Sequence, residues 1–350
     1  MRLLVVNAGS SSLKVSLIQD GRRLEKLDGL PESAAGLGDV AAVGHRVVHG
    51  GPDLGEPAVV DDDVEGKLRD VVDLAPLHQP KSLRGIEEAR RLLPDVPHVA
   101  CLDTAFHRSI PAAAHTHALP AEWRRPELRR YGFHGLSHAW ASRRAAELVP
   151  GARRVVVCHL GAGASLCAVL DGRSVDTTMG FTPLDGLVMA TRSGSVDPGL
   201  LVWLLEHRDV AAGDLADALE HRSGLVGLAG TADLAELLER DDAEARLAVD
   251  VYLHRLVGGV AAMAAALGGL DVLVFTGGVG ENAVAVRERA AAALGFLGVG
   301  VDHASNAAAS PDADVTAAGA PVRTLVLAAQ EDLEIAAEVT RLLSAGRGPG

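Results

Sequence analysis

The sequence has little cysteine. Its 350 residues include only three, Cys101, Cys158 and Cys167. An odd number of cysteines without C-x-x-C spacing argues against both a disulfide framework and a cysteine-rich zinc site. The cysteine content therefore predicts a reducing, cytoplasmic environment.

Basic charge is also scarce. The chain has 33 Lys and Arg residues against 46 Asp and Glu residues, which gives a formal net charge of −13. Such a chain has no broad basic surface that could neutralise a nucleic acid or an anionic membrane. We therefore expect neither as a partner, and an anionic substrate must meet a local cluster of cations.

Long hydrophobic runs are missing. The N-terminal residues 1–12 contain one Arg and too few consecutive apolar residues for a signal peptide, so we expect no export. The longest apolar stretch, 256–275, is interrupted by two glycine pairs and by Asp271. It predicts a buried alanine-rich helix, a turn and a strand, not a membrane span. Because aromatic residues make up only 3% of the chain, the core must consist mainly of Ala, Val and Leu.

Strand-like and helix-like segments alternate along the chain. This alternation predicts an α/β fold with largely parallel sheets. The tail 344–350 has no pattern and is expected to be frayed. The predicted strands are 3–6, 13–18, 41–48, 154–159, 166–170, 271–276 and 322–327, and the predicted helices are 82–93, 138–148, 245–267, 284–294 and 332–343.

A weak internal repeat organises the chain. A buried strand, a small polar turn, a second strand and an Asp-Gly turn occur near the N-terminus and again after Pro150. Alignment of Ser12 with Ser165 gives an offset of 165 − 12 = 153 residues. The repeat predicts two similar α/β domains facing one another, each with a glycine-containing hairpin pointing into the cleft. We place the domains at 1–149, joined by the C-terminal helix 332–343, and at 150–331.

Two small polar turns are candidate anion sites. The turn at 7–14 (NAGSSSLK) offers hydroxyls, an amide, a Lys and unpaired backbone N–H groups to a phosphate. A serine-rich hairpin without a ligand is an equal alternative. The turn at 159–165 (HLGAGAS) is the equivalent in the second domain. Together they suggest two sides of one polyphosphate site, which is not a Walker A loop because that motif is absent.

A third glycine-rich element leaves a different enzyme class open. Residues 271–283 predict a buried strand that breaks into a glycine turn and then a helix, a surface suited to a nucleotide. Gly278-x-Gly280-x-x-Ala283 matches a dinucleotide fingerprint, and Asp302 follows at the distance of a ribose-binding acid. An NAD-dependent oxidoreductase is therefore an alternative, although little sequence follows Asp302 to complete such a domain.

Several charged side chains stand next to glycines. Arg46 and Arg192 are suited to bidentate recognition of carboxylate or phosphate, with a surface ion pair as the alternative for each. His134 is interpreted as a site residue and His138 as a helix residue, since no third metal ligand is near in sequence. Asp103 is either a cleft carboxylate or a helix N-cap.

Eight segments together resemble the acetate kinase family, in order and across nearly the whole chain. The resemblance implies the acetate and sugar kinase, Hsp70 and actin fold: duplicated actin/hexokinase-like (ribonuclease H-like) α/β domains with a nucleotide cleft between them. The segments are NAGSSSLK at 7–14, GHRVVHGG at 44–51, APLH at 75–78, DTAFH at 103–107, YGFHG at 131–135, MGFTPLDGL at 179–187, TRSGSVDPG at 191–199 and FTGGVGEN at 275–282.

The resemblance implies reversible, direct in-line phosphoryl transfer from ATP to acetate, giving acetyl phosphate and ADP. It implies Mg²⁺ as the cofactor, with Mn²⁺ as a substitute, and a homodimer. It implies that Arg46 and Arg192 hold acetate and the transferring phosphoryl group, and that His134 steadies the oxygens of that group. It also implies that Asn7 and Glu331 hold the metal, with Asp103 positioning the arginines and the metal.

The same resemblance assigns the substrate-binding residues. A small apolar pocket for the methyl group of acetate matches Val48, Leu77, Phe133 and Pro183, beside Arg46. The nucleotide positions match Lys14, Ser10, Ser12, His159, Gly161, Gly163, Asp233, Gly278, Val279 and Asn282.

The sequence departs from the family pattern in the part that faces the donor. The H-L-G-N-G turn has Ala162 in place of its Asn, and the S-D-x-R segment has Ala235 in place of its Arg. Gln330-Glu331-Asp332 replaces the usual Asn-Glu-Glu-like run, and the segment 18–46 is short. Four alternatives stay open: propionate or butyrate as acceptor, a different phosphoryl donor, a nucleotide-switched binding module on the same fold, and the NAD-dependent oxidoreductase.

Overall fold

The computed structural model describes residues 1–8, 13–76 and 78–345. The chain forms two compact units. Unit 1 consists of Met1–Arg108, His117–Trp140 and the C-terminal part from Gln330, and unit 2 consists of Ser109–Thr116 and Ala141–Ala329. The domain division near residue 150 stays a prediction.

Unit 1 contains one six-stranded sheet in the order β3-β2-β1-β4-β6-β5. The β1-β2-β3 meander is antiparallel, β1, β4 and β6 run parallel, and β5 pairs antiparallel with β6. The strands are β1 (Arg2–Ala8), β2 (Leu13–Gln19), β3 (Arg22–Asp28), β4 (Ala42–Val47), β5 (Ala58–Val59) and β6 (His98–Leu102).

Unit 2 repeats this topology in the order β9-β8-β7-β10-β12-β11. Again an antiparallel meander is followed by parallel strands and an antiparallel edge strand. The sheets are mixed, so the prediction of largely parallel sheets was wrong for the first three strands of each sheet, because short hairpins can only join antiparallel neighbours. The strands are β7 (Arg154–Leu160), β8 (Ala164–Leu170), β9 (Arg173–Thr177), β10 (Val272–Thr276), β11 (Ala313–Asp314) and β12 (Arg323–Val326).

The internal repeat is confirmed, but its offset is corrected. Strand β8 lies 151 residues after β2, since 164 − 13 = 151, and β7 lies 152 after β1, since 154 − 2 = 152. The two Asp-Gly turns agree, because Asp20 and Asp171 both have a φ of 49° and also lie 151 residues apart. The predicted offset of 153 was wrong because it aligned two Ser-Leu pairs across turns that differ in length by one residue.

All seven predicted strands and all five predicted helices are present, with ends displaced by a few residues. The last helix continues through Ala345, two residues beyond its predicted end at 343. The helices are α1 (Asp62–Asp70), α2 (Gln79–Leu92), α3 (Ala112–His115), α4 (Gly135–Leu148), α5 (Pro198–His207), α6 (Ala212–His221), α7 (Gly224–Ala229), α8 (Leu234–Glu239), α9 (Ala243–Leu267), α10 (Gly277–Asn282), α11 (Val284–Ala293), α12 (His303–Ala307) and α13 (Glu331–Ala345).

Each unit has an aliphatic core between its sheet and one long helix. In unit 1, Ile335 and Val339 of α13 pack against Leu3 and Val5 of the sheet. In unit 2, α9 packs against β7 and β8. By length and composition α9 could cross a membrane, but ten of its residues are buried in unit 2, as in the core helix expected from the sequence.

A buried acidic side chain on α13 makes the stability of unit 1 depend on pH. Burial, together with the nearby Glu334, raises the pKa of Glu338 to about 7. Because this pKa exceeds the ordinary value of 4.5, the free energy of unfolding should fall as the pH rises from about 4.5 through about 7.

We expect Glu338→Gln to raise the melting temperature at pH 8 and to change it little at pH 5. Thermal melts at both pH values, followed by circular dichroism, measure this. Glu25→Gln, on the exposed strand β3, is the control. An equal effect of Glu338→Gln at both pH values would contradict a titrating carboxyl at this position.

Candidate active site

A buried ion pair lies at the carboxyl edge of the unit 1 sheet. Strands β4 and β6 are parallel neighbours, so Arg46 at the end of β4 and Asp103 just after β6 meet at one edge. Arg46 Nε and NH2 donate to Asp103 Oδ2 at 3.0 and 2.6 Å. Asp103 is 1% exposed, and its carboxylate also interacts with the backbone N–H of Leu136 near the start of the helix Gly135–Leu148. Its role as a cleft carboxylate stays a prediction.

Two further predicted residues join this pair. Arg46 NH1 donates to Asn7 Oδ1 at 3.4 Å, and Asn7 Nδ2 donates to Glu331 Oε2 at 2.8 Å. Burial disfavours the charged form of Arg46, but the carboxylates of Asp103 and Glu331 outweigh it and raise its pKa above the ordinary value. The network is therefore an ionised cluster in which one arginine is oriented by its neighbours.

The donor chemistry of this cluster fits a hard divalent cation. Glu331 offers a half-buried carboxylate at the start of α13, and the buried carboxylate of Asp103 belongs to the same network through Arg46. Among the described residues no group of three or more His, Cys, Asp or Glu side chains could hold a metal alone. This suits Mg²⁺, which usually binds one or two carboxylates and completes its shell with water and substrate phosphates.

The predicted YGFHG segment is fixed to the same edge. Gly135 N donates to Asp103 O at 2.9 Å, and a Cβ on Gly135 would stand 2.1 Å from that oxygen, so only glycine fits. The preceding His134 has a φ of 56°, a strained backbone that tertiary contacts must maintain. Helix α4 starts at Gly135 and contains His138, as expected from the sequence.

Two residues of the predicted methyl pocket, Val48 and Phe133, are buried in unit 1. Val48 is 4% and Phe133 2% exposed. His49, the residue after Val48, contacts the Phe133 ring edge-to-face, with ring centroids 5.5 Å apart. Lys14 pairs with Asn7 across the β1-β2 hairpin, while Ser10, Ser12 and Leu77 lie outside the described residues.

Unit 2 contains a cavity of about 610 Å³, within the size range of small-molecule sites. Predicted nucleotide positions from three separate segments line it: Gly161, Asp233, Gly278, Val279 and Asn282. His159 and Gly163 do not line the cavity, although both belong to the β7-β8 hairpin that supplies Gly161.

Two polar side chains on this cavity are used in local hydrogen bonds, whereas the buried hydroxyl of the lining residue Tyr252 has no partner among the described residues. Asp233 caps α8 by accepting from Ala235 N at 2.9 Å, and Asn282 Nδ2 donates to Gly278 O at 2.8 Å. The two departures from the family pattern, Ala162 and Ala235, both line the same wall. The cavity is consequently mainly apolar.

Arg192 and Pro183 lie together in unit 2. Arg192 NH1 contacts Pro183 O at 3.5 Å and Met189 Sδ at 3.7 Å. Burial lowers the pKa of Arg192, and Glu220, 3.7 Å from its Nε, opposes this. The side chain is only 14% exposed, so its charge sits in a partly desolvated environment.

Arg287 is a structural arginine that was not predicted from the sequence. Arg287 is 1% exposed. It donates to the carbonyls of Gly280 and Glu281 and to both oxygens of Asn306. It thereby fixes α10, which carries three cavity residues. Its only sequence signal is a charged residue on the apolar face of an alanine-rich helix.

Asp302 does not act as a nucleotide ligand. Its carboxylate accepts from Ser305 N at 2.8 Å and caps α12. The acid required by the dinucleotide fingerprint is thus engaged in secondary structure.

Comparisons with known proteins agree with this arrangement. The model of the acetokinase family matches residues 31–337. The acetate kinase of Gloeobacter violaceus is 47% identical over 326 residues, covering 91% of this chain and 80% of the relative. The crystal structure of Porphyromonas gingivalis acetate kinase is 33% identical with a TM-score of 0.88, covering 98% of this chain and 99% of that one. A propionate kinase from Francisella tularensis is 34% identical with a TM-score of 0.88, covering 96% and 98%.

Proposed function

Because the chain belongs to the acetokinase family and is a phosphotransferase, we propose that it transfers the γ-phosphoryl group of ATP reversibly to acetate. The products are ADP and acetyl phosphate, formed by direct in-line displacement. The observation that carries the proposal is the buried network of Arg46, Asp103, Asn7 and Glu331.

The acceptor needs no general base. A carboxylate is already ionised at neutral pH, so the obstacle is the approach of one anion to another. Arg46 can offset the repulsion between the two anions, because its pairing with Asp103 keeps its guanidinium charged and in one orientation. Val48 and Phe133 supply apolar surface beside it for the methyl group. His134 is proposed to steady the oxygens of the transferring group.

Mg²⁺ is the proposed cofactor, with Mn²⁺ as a substitute. Asn7 and Glu331 would hold it, and Asp103, which pairs with Arg46 in the same network, would position the arginine and the metal. Bound there, the metal would neutralise charge on the donor phosphates.

The donor is proposed to bind unit 2. Gly278, Val279 and Asn282 would contact the adenosine in the apolar cavity, with Asp233 at its edge. The phosphates would follow the β7-β8 hairpin at His159, Gly161 and Gly163.

An assay for acetyl phosphate as its hydroxamate tests this function directly. Acetate, propionate and butyrate are compared as acceptors, with ATP, GTP and pyrophosphate as donors. Acetate with ATP should be the preferred pair. A clear preference for propionate would favour the second candidate function, which the similarity to a propionate kinase supports. The oxidoreductase and the binding module are wrong, since the family is a kinase family.

The proposed assembly is a homodimer in the cytoplasm. Helix α5 exposes Leu200, Val202, Trp203 and Leu205, each 41–51% accessible, and exposed apolar surface is typical of protein interaction sites. All three cysteines are free and buried, as suits a reducing compartment. Acetate and ATP are the only partners proposed beyond the second subunit.

We expect Val48→Ala to improve propionate and butyrate relative to acetate. Removal of two methyl groups from a buried wall beside Arg46 makes room for a longer chain, and one methylene is worth about 1–3 kcal/mol in such a pocket. The ratio of kcat/KM values among the three acceptors measures this. Val59→Ala, on an exposed edge strand, is the control, and an unchanged ratio would remove Val48 from the pocket.

Ala162 and Ala235 line the cavity at positions where the family pattern has polar side chains. We therefore predict that the donor binds weakly. We expect Ala162→Asn to lower KM for ATP severalfold and to leave KM for acetate unchanged, because one hydrogen bond contributes about 0.5–1.5 kcal/mol. Initial rates with ATP, GTP and pyrophosphate on both proteins measure the effect. If the unaltered chain bound ATP tightly, the two alanines would cost it nothing and this prediction would be wrong.

A further inference from the structure

A second cavity, of about 260 Å³, lies in unit 1 outside the residues proposed for catalysis. Arg108 and Arg129 are its only charged lining residues. Neither guanidinium has a carboxylate within 4 Å among the described residues. In a chain with a net charge of −13, two unpaired arginines on one small cavity are unusual.

The guanidinium of Arg108 is held against the wall of the cavity. A Cβ on Gly55 would stand 1.8–2.3 Å from three atoms of the Arg108 side chain, so the arginine packs directly on this glycine. Arg129 Nε donates to Arg130 O at 3.2 Å, which leaves the terminal nitrogens of its fork for other partners. Both forks are therefore positioned without being neutralised.

The two arginines lie close enough to oppose each other's charge. Burial lowers the pKa of Arg129, and Arg108 lowers it further. An anion between them would relieve this repulsion, because a guanidinium fork binds phosphate oxygens in pairs.

The other cavity residues add no competing charge. Burial lowers the pKa of His107 to about 4, so its ring is neutral at pH 7. Tyr131 donates its hydroxyl to Glu127 O at 2.9 Å. The remaining surface is mainly apolar or backbone, with Pro52, Leu54 and Pro126.

We propose that this cavity binds a small phosphate monoester, with the phosphate between Arg108 and Arg129 and a short carbon body against Pro52, Leu54 and Pro126. The volume limits the ligand to a compact molecule, and two unpaired forks match a dianion better than a single carboxylate. The site is distinct from the proposed acceptor site, since Arg46 and Asp103 do not line it.

Calorimetric titration of the full-length protein with glycerol 3-phosphate at low ionic strength tests the proposal. One molecule should bind per chain at this site. Arg108→Gln and Arg129→Gln should each weaken binding at least tenfold, as expected for a lost charge-assisted hydrogen bond. Arg125→Gln, an exposed arginine of the same segment, is the matched control and should stay within twofold of the parent.

Further titrations identify the bound group. Glycerol should not bind, and inorganic phosphate should bind more weakly than the ester. Tighter binding of malonate than of glycerol 3-phosphate would overturn the phosphate assignment. Binding that survives both substitutions, or that is lost in Arg46→Gln instead, would place the ligand elsewhere and overturn the site.

The kinase assay keeps this test separate from the proposed function. Arg108→Gln and Arg129→Gln should retain acetyl phosphate formation within threefold and an unchanged melting temperature, which shows that they are folded. Absence of kinase activity in the parent would count against the proposed function alone, because calorimetry detects the ligand without turnover.

Discussion

Replacement of Arg192 by alanine is expected to lower kcat for acetyl phosphate formation by about 10³–10⁵, the contribution of a positioned arginine to phosphoryl transfer. Arg192 is 14% exposed, and its carboxylate partner Glu220 lies at 3.7 Å, beyond hydrogen-bonding distance. Its charge is thus held in a partly desolvated environment. Charge that develops on a transferring phosphoryl group would interact strongly with it.

Steady-state kinetics on Arg192→Ala and Arg192→Lys measure this effect. Lysine should restore only part of the rate, because an ammonium cannot present a planar fork. Arg208→Ala, an exposed arginine of the same unit, should turn over normally. Near-normal kcat in Arg192→Ala would exclude Arg192 from the transfer step.

Replacement of Arg287 by methionine is expected to reduce the free energy of unfolding by roughly 3–5 kcal/mol. Each buried polar group left without a partner costs about 1–3 kcal/mol, and this change would orphan the carbonyls of Gly280 and Glu281 and two oxygens of Asn306. Methionine retains much of the side-chain volume, so lost hydrogen bonding dominates the change.

Thermal and urea unfolding measure the loss. Since α10 supplies Gly278, Val279 and Asn282 to the cavity, KM for ATP should also rise while KM for acetate stays constant. Arg289→Met, two residues further along α11 and paired with Asp250 on the surface, should cost less than about 1 kcal/mol. A stable Arg287→Met variant would show that these carbonyls find other partners.

Much of the fold could be predicted from the sequence, because the local hydrophobic patterns and the internal repeat agree with the observed strands and helices. Runs rich in Val and Leu predicted β1 and β10, and alanine-rich periodicity predicted α9. Strand β3, by contrast, is mostly exposed and polar. It exists because the edge of β2 offers hydrogen bonds, which its own composition does not reveal.

The site was predictable where a residue type at a glycine-flanked strand end limits the chemistry. Arg46 was predicted in this way, and Asp103 was predicted as a carboxylate at the end of an apolar stretch. The parallel pairing of β4 and β6 explains why they meet. Arg287 could not be identified, because its partners lie on α10 and α12 and no pattern near it announces a buried charge.

By itself the sequence determined the α/β class, the duplication and the family, because hydrophobic periodicity, repeated turns and ordered motifs are properties of the chain. Only the tertiary structure decided which polar atoms are satisfied. It assigned Asp302 to a helix cap, used Asp233 and Asn282 in local hydrogen bonds and paired Asp103 with Arg46. The reason is physical: whether a buried polar group is free or paired depends on neighbours that are distant in sequence.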